Sequence, residues 1–572
     1  MGFGQRWRNL ISLMLASTSS RILLNGSPGN LFKHMRGLRQ DDPLSPMLFI
    51  LAMEPLQCLF EKATEQELIS SLKLRVARIR ASFYTDDAAL FVNPMQEDIS
   101  AVQQILRLFG DASGLKINVD KCVAYPVACE GINLANVLQN FGGAQGAFPC
   151  KYLGLPLGFK KPRKIELQPL FDRAAGRLKG WKGKLMNRKG RLALINSVIT
   201  STATYFLTVF PAERWMIKKF DKMRRNFLWA PDDEAKRRKC LVSWKKICAP
   251  TMYGGLGIKD LQAFSRALRL RWEWYRWVDQ NRPWVGTETP CSQADRDLFS
   301  ACTTISVGKG DTASFWADRW LHGQAPKQIA PLCFPLATRK KLTVKEALAE
   351  GKWMRGLQRM NTEAQLDQFV MMWDMLQSVI LTNETDTISW HVAADGKYSA
   401  SSAYAIQFLG RVRQPGLEQV WKICAEGKVN FFFWLLLQNR NWTAEKLRAR
   451  GLPHNDRCSL CDQHFEMASH LALSCPFAKE VWANFQASNP AAVQLAASYT
   501  SVIEWWEKIR KVKKDEQKKR EVTLSIYIIW HIWKERGRRI FQDEMMPALA
   551  VAGLIKADLE LFWLAKGGPS TS

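Results

Sequence analysis

The stretch RCSLCDQHFEMASHLALSCPF sets Cys458, Cys461, His470 and Cys475 in the spacing C-x2-C-x8-H-x4-C, and few other features of the chain restrict its local backbone as strongly. Two cysteines two residues apart offer both sulfurs to one tetrahedral ion from a tight turn, and a histidine and a third cysteine complete four ligands. Structural zinc is the favoured reading, free thiols are the alternative, and His464 is an alternative third ligand. A site with four protein ligands has no open position, so zinc held there contributes folding energy and no catalysis. The rest of the 13 cysteines are scattered through 572 residues, which points to thiols in a reducing, intracellular compartment.

A second local pattern carries chemistry. In ASFYTDDAALFV, residues 81–92, Asp86 and Asp87 sit between two apolar runs that each read as a short strand. Adjacent carboxylates at a hairpin tip read either as a polar turn or as a site where a divalent cation relieves their repulsion. The tetrapeptide alone leaves both readings open.

The charge balance narrows the partners. Lys+Arg 81 against Asp+Glu 53 gives a formal charge of +28, a field that attracts polyanions, of which nucleic acid is the commonest large one. The longest apolar runs, LISLMLA and VTLSIYIIWHIW, fall well short of the ~20 residues of a membrane span. No small-residue cleavage pattern follows the first run, so neither a membrane partner nor a signal peptide is expected. Between residues 177 and 191 lie Arg177, Lys179, Lys182, Lys184, Arg188, Lys189 and Arg191, with no acid to pair them and with glycines and Trp181 interleaved. A solvated helix face is the plain reading, but the missing acids favour contact with a phosphodiester backbone. The segment AKRRK, residues 235–239, adds a short nuclear-import-like cluster.

Periodicity divides the chain. Over about the first 160 residues strand-like and helix-like runs alternate, which predicts an α+β domain. They include turns at Asn25-Gly26 and Pro28-Gly29, a helix over Pro43–Ala63, a helix closed by Gly114, and a strand over LKINVD. Residues 161–280 turn helical and basic, and residues 281–395 are irregular and tryptophan-rich, a connecting or scaffold region. Residues 396–490 hold two helices, the second with Thr443 as N-cap, and then the Cys/His cluster. Residues 491–572 are helical, basic and aromatic. No internal repeat is evident.

In this order the segments resemble the reverse transcriptase of plant LINE-type (non-LTR) retrotransposons. RGLRQDDPLSPMLFILAMEPL is similar to a palm turn and helix beneath template and nucleotide, and FYTDDAALF to the metal-binding palm hairpin. GLKINVDKC, YLGLPLG and LKGWKGKLMNRKGRLALINSVI follow as the next palm motif, the primer-supporting strand and the thumb. FWADRWLHG and the region ending in the Cys/His cluster resemble the attached zinc-binding part. The resemblance implies a partial polymerase palm, an antiparallel sheet with helices, over residues 1–160. It also implies a helical thumb over 161–280, a connecting region over 281–395, a zinc-binding domain over 396–490 and a basic C-terminal region over 491–572. RNA template and DNA primer or target are the implied partners, and the nucleus the implied location. Asp86 and Asp87 are the implied catalytic ligands of Mg²⁺ or Mn²⁺. Tyr84 is placed beside the primer end, and Arg39 and Gln40 against template and nucleotide.

The chain departs from that family pattern in three respects. The family's further metal-binding aspartate lies on a palm strand before the second motif, and this chain opens at MGFGQRWRNLI, which looks like the stretch after that strand. Fingers and endonuclease are likewise not seen. Asp41 stands where the family has glycine, and Thr85 where it has alanine. The expectation is a nucleic-acid-binding chain that does not polymerise by itself.

Overall fold

Asn25 and Gly26 both take positive φ, 47° and 85°, the backbone of a two-residue hairpin turn, and Leu23–Leu24 duly pair with Ser27–Pro28 across them. Around this ribbon a second one forms, Ser19–Ser20 with Phe32–Lys33. The structure, a computed structural model, describes residues 2–35, 37–39, 42–72, 80–177, 185–229, 240–510 and 516–566. By their internal contacts they fall into two units, Met1–Glu166 with Asn281–Glu288, and Leu167–Gln280 with Thr289–Ser572.

In the first unit the predicted helix forms over Ser45–Glu65, begun by Pro46 in its first turn, and Asp42 accepts the Leu44 N–H at 3.0 Å just ahead of it. A second helix, Gln96–Ser113, ends where Gly114 adopts φ 75°, a left-handed stop that costs glycine little. Between them in sequence, Ala81–Tyr84 pair antiparallel with Asp87–Leu90. Leu56, Phe60, Ala63, Ile69, Ala81, Val102 and Phe109 close one core from both helices and the hairpin. The N-terminal helix Gln5–Ala16 buries no residue, and Leu10, Leu13, Ile22, Leu23 and Leu24 are exposed.

Two expectations change here. LKINVD does not form a strand: Leu115, Ile117 and Val119 are exposed, Val119–Lys121 turn as a short 3₁₀ segment, and pairing begins only at Val123–Ala124 with Ala144–Gln145, in parallel. An apolar alternation becomes a strand only where a partner backbone meets it. In place of the expected antiparallel sheet the described residues form separate two-stranded ribbons.

The second unit is mainly helical. Arg188–Leu194, a π-type turn at Ile195–Ile199 and Thr200–Val209 run on as 22 residues, by length and composition enough to cross a membrane. Leu192, Ile195, Ile199, Ala203, Phe206 and Leu207 are nevertheless buried, and Trp272 of the long helix Leu261–Val278 donates to the Thr208 carbonyl at 3.0 Å. The tryptophan-rich region is a packed core: Phe315, Trp316, Trp320 and Trp353 bury together beside the ribbon of Thr303–Ser306 and Thr387–Trp390. Its loop is held by Asp386, whose two oxygens accept N–H bonds from Gly308, Gly310, Thr312 and Ala313 at 2.8–3.0 Å. In the helix Gly427–Leu437 every residue from Val429 on is buried, so it is the centre of its neighbourhood and shows no polar face.

Candidate metal centres and nucleic-acid-facing residues

The hairpin register pairs Tyr84 with Asp87, leaving Thr85 and Asp86 as a two-residue turn. Thr85 takes φ 51°, a left-handed conformation that a β-branched residue adopts only under constraint, and its hydroxyl donates to Asp86 Oδ1 at 3.1 Å. Tyr84, Asp86 and Asp87 are all exposed. The ribbon's base is fixed more firmly than its tip. The buried Asp98 accepts from the Ser70 N–H and hydroxyl at 3.0 and 2.9 Å, Arg80 reaches the Ser70 and Phe91 carbonyls, and Tyr152 of YLGLPLG donates to Ser82 Oγ at 3.1 Å. A rigid root and a solvent-facing pair of carboxylates result. Their oxygens suit a hard divalent cation. Among the described residues, however, no third ligand joins them within reach of one ion.

Arg39 is exposed and donates to the Ser19 carbonyl at 3.3 Å, whereas Gln40 and Asp41 lie outside the described residues. So do Lys179, Lys182, Lys184 and the AKRRK segment. Of the remaining basic positions, Arg177 reaches Thr202 Oγ1 at 3.3 Å, and Arg191 lies in the helix Arg188–Leu194. Arg188 lies 5.6 Å from the Trp229 ring centre and Lys189 Nζ 4.3 Å from that of Trp421. Burial holds both cations below their ordinary pKa, with Arg191 a second cause for Arg188. The Lys189 stem also fills the space a side chain at Gly427 would need, its Cγ standing 2.5 Å from where that Cβ would be.

The Cys/His cluster closes as its spacing predicts. Cys458, Cys461, His470 and Cys475 bring one donor atom each to within 4.8 Å of all the others. Cys458 Sγ and Cys475 Sγ are 4.0 Å apart, and Cys461 Sγ and His470 Nε2 3.4 Å. Sulfurs each ~2.3 Å from a tetrahedral ion stand ~3.8 Å apart, whereas a disulfide needs ~2.05 Å, so the spacing fits zinc and excludes a bridge. The backbone is shaped for it: Cys458 N–H bonds the His464 carbonyl at 2.8 Å, Asp462 turns at φ 52°, and His470 begins a π-type turn. A hydrogen bond from Cys458 holds the Cys475 thiol below its ordinary pKa, and the same bond, together with burial, pushes Cys458 up. Burial, then the neighbouring His464, keeps His470 below its usual value and hence neutral, the form that ligates. The ring of His464, the alternative ligand, lies tilted 5.2 Å from that of His470, and the residue serves through its carbonyl.

One cap expected from sequence is replaced. Thr443 occupies the N-cap of Ala444–Arg448 but its buried hydroxyl makes no bond, and Glu466 accepts the Ala444 N–H at 2.9 Å instead. A carboxylate next to a helix N-terminus binds those donors more strongly than a hydroxyl.

Two stretches of the chain have family counterparts. Residues 2–157 match the reverse transcriptase (RNA-dependent DNA polymerase) family, and residues 398–482 the family described as zinc-binding in reverse transcriptase. The chain therefore carries a reverse transcriptase domain followed by the zinc-binding region of such proteins. Its relatives set it more closely among retrotransposon proteins of the non-LTR kind. It is 26% identical over 287 residues to a 149 kDa transposon protein of Xenopus laevis, covering 49% of this chain and 21% of that one. It is 27% identical over 253 residues to a Pol polyprotein from a type-2 retrotransposable element of Drosophila melanogaster, covering 42% and 22%. A protein named as a ribonuclease H of Arabidopsis thaliana is 25% identical over 423 residues, 68% of this chain and 66% of that one. The chain thus spans just under two-thirds of the plant relative and about a fifth of the other two.

Proposed function

We propose that this chain is the palm, thumb and zinc-binding portion of a non-LTR reverse transcriptase, over residues 1–160, 161–280 and 396–490, joined by 281–395 and followed by 491–572. It grips RNA template and DNA primer or target in the nucleus, and as 572 residues alone it does not extend a primer. The single observation behind this is the rooted hairpin, which offers Asp86 and Asp87 to solvent with no third carboxylate beside them among the described residues.

In the family reaction Asp86 and Asp87 would be the residues to hold Mg²⁺ or Mn²⁺, whose charge would lower the pKa of a primer 3′-hydroxyl and neutralise a departing pyrophosphate. Tyr84, the register partner of Asp87 and exposed, offers a ring against the terminal base pair. Arg39 and Gln40 approach the template and the triphosphate. Arg177 and Arg191, with Lys179, Lys182 and Lys184, neutralise backbone phosphates. Arg188 and Lys189 contribute charge from over their tryptophans.

Two assays on the purified chain test this. Binding to a primer–template duplex is expected to weaken steeply with salt and to survive the double substitution Asp86→Ala, Asp87→Ala. Primer extension on an RNA template in Mg²⁺ or Mn²⁺ is expected to be absent. Extension abolished by that double substitution would refute the inactive reading, and salt-insensitive binding would refute the nucleic-acid reading.

A further inference from the structure

The zinc-binding family match ends at residue 482, yet cations that reach the Cys/His cluster come from further on, in the helix Glu516–Phe541. Arg539 Nη1 donates to the carbonyls of Leu460 at 2.9 Å and Ser459 at 3.4 Å, the two residues between Cys458 and Cys461. Its guanidinium lies 4.5 Å from the ring centre of Phe477, two residues beyond Cys475. One side chain therefore touches both arms that carry the cysteine ligands. Arg539 is itself held by Glu535 at 2.9 Å, and Glu535, fully buried, also takes Arg538 and the Met546 N–H. One turn earlier Arg536 grips Glu466, in the loop between His464 and His470, with Nη2 at 2.7 Å and Nε at 3.3 Å.

We infer that Arg539 is a positioning residue of the zinc site and that metal binding and docking of the 516–541 helix are thermodynamically linked, an inference that rests on the zinc reading. Two physical arguments support it. Carbonyls in a two-residue turn between ligands point away from the sulfurs, so a fixed cation on them sets the turn's orientation in the way that outer partners orient metal ligands elsewhere. The charges also match: Arg536, Arg538 and Arg539 against Glu466 and Glu535 leave one positive charge in surplus, and three thiolates with one histidine on Zn²⁺ carry one negative charge. Glu466, Glu535 and Arg536 are buried and Arg538 and Arg539 partly so, and a net charge held away from water is costly, so the helix and the loaded site each complete the other. Whatever binds only the docked state stabilises it.

The test uses the full chain. Co²⁺ is titrated in and then displaced by Zn²⁺ to give both affinities and the ligand-field spectrum, while hydrogen exchange follows residues 516–541 with and without a chelator. Arg539→Ala is expected to weaken metal binding about 10- to 100-fold and to alter the Co²⁺ d–d bands, with Arg539→Lys recovering part of the loss. In the unsubstituted chain, chelation is expected to speed exchange in 516–541 while the ribbon of Thr303–Ser306 and Thr387–Trp390 stays protected. Unchanged affinity in Arg539→Ala with that ribbon protected, or exchange in 516–541 indifferent to the chelator, would overturn the inference alone. An unsubstituted chain that gives no thiolate–Co²⁺ bands would overturn the zinc reading with it. The chelation arm needs no variant, so it decides even if Arg539→Ala misfolds.

Discussion

Replacing Asp386 by asparagine probes how one carboxylate organises the tryptophan-rich core. Oδ1 accepts from Gly308 and Gly310, and Oδ2 from Thr312 and Ala313. An amide keeps one oxygen and turns an NH₂ toward the other two donors, so two bonds to a charged acceptor are lost and donors confront each other. At about 1.5–3 kcal/mol per bond, and allowing for a half-buried site, the expected cost is ~3 kcal/mol at pH 7. The pH dependence has a definite sign. Burial raises the Asp386 carboxyl, but the four N–H donors outweigh it and hold the group below its ordinary value. The unfolded chain then binds the proton more readily, so the stabilisation is present above about pH 4 and fades as pH falls through the folded value. Urea unfolding read by hydrogen exchange at residues 306–313 measures both effects. Unaltered exchange in Asp386→Asn at pH 7, or a deficit that stays constant down to pH 3, would refute the reasoning.

Other outcomes are expected. Asp318, whose carboxyl burial pushes up to about 6, lends stability below pH 4 that is lost as pH rises through 6. Asp318→Asn, which can still accept the Ser314 N–H, should therefore stabilise the second unit by ~2–3 kcal/mol at pH 7.5 and by almost nothing at pH 4, measured by urea midpoints. Gly427→Ala should cost ~1–3 kcal/mol because its Cβ meets the Lys189 stem, and adding Lys189→Ala should return most of that in a double-mutant cycle. Gly308→Ala should destabilise the Asp386 loop comparably, since its Cβ would fall 2.1 Å from the Glu384 carbonyl oxygen; urea midpoints read this too.

What could be read from the sequence was what short spacings determine. The C-x2-C-x8-H-x4-C run, the Asn25-Gly26 turn, the proline-led helix and the Gly114 stop are each set by neighbours close by in sequence, and each forms. The Asp86–Asp87 hairpin is of the same kind. What could not be read depends on partners far along the chain. LKINVD alternates like a strand but meets no backbone to pair with, and Thr443 sits at the cap only for Glu466 to take its role. Arg188 and Lys189 looked like members of a free basic face because nothing local reveals Trp229 and Trp421. Asp386 carries no local signal of its role, because its four donors lie in another segment. The unbroken apolar run from Phe431 to Leu437 was the available hint that neighbours would enclose this helix on all sides.

The fit of Lys189 into the bare backbone of Gly427 bears on how such genes diversify. A lysine stem with its ammonium over Trp421 fills the space beside the bare backbone of residue 427, so a larger residue there calls for a smaller one at 189. Recombination between related copies with a crossover falling between these two codons would splice a bulky residue against a bulky residue. Hybrids that keep both from one parent should fold, so shuffled descendants ought to inherit the pair as a single block.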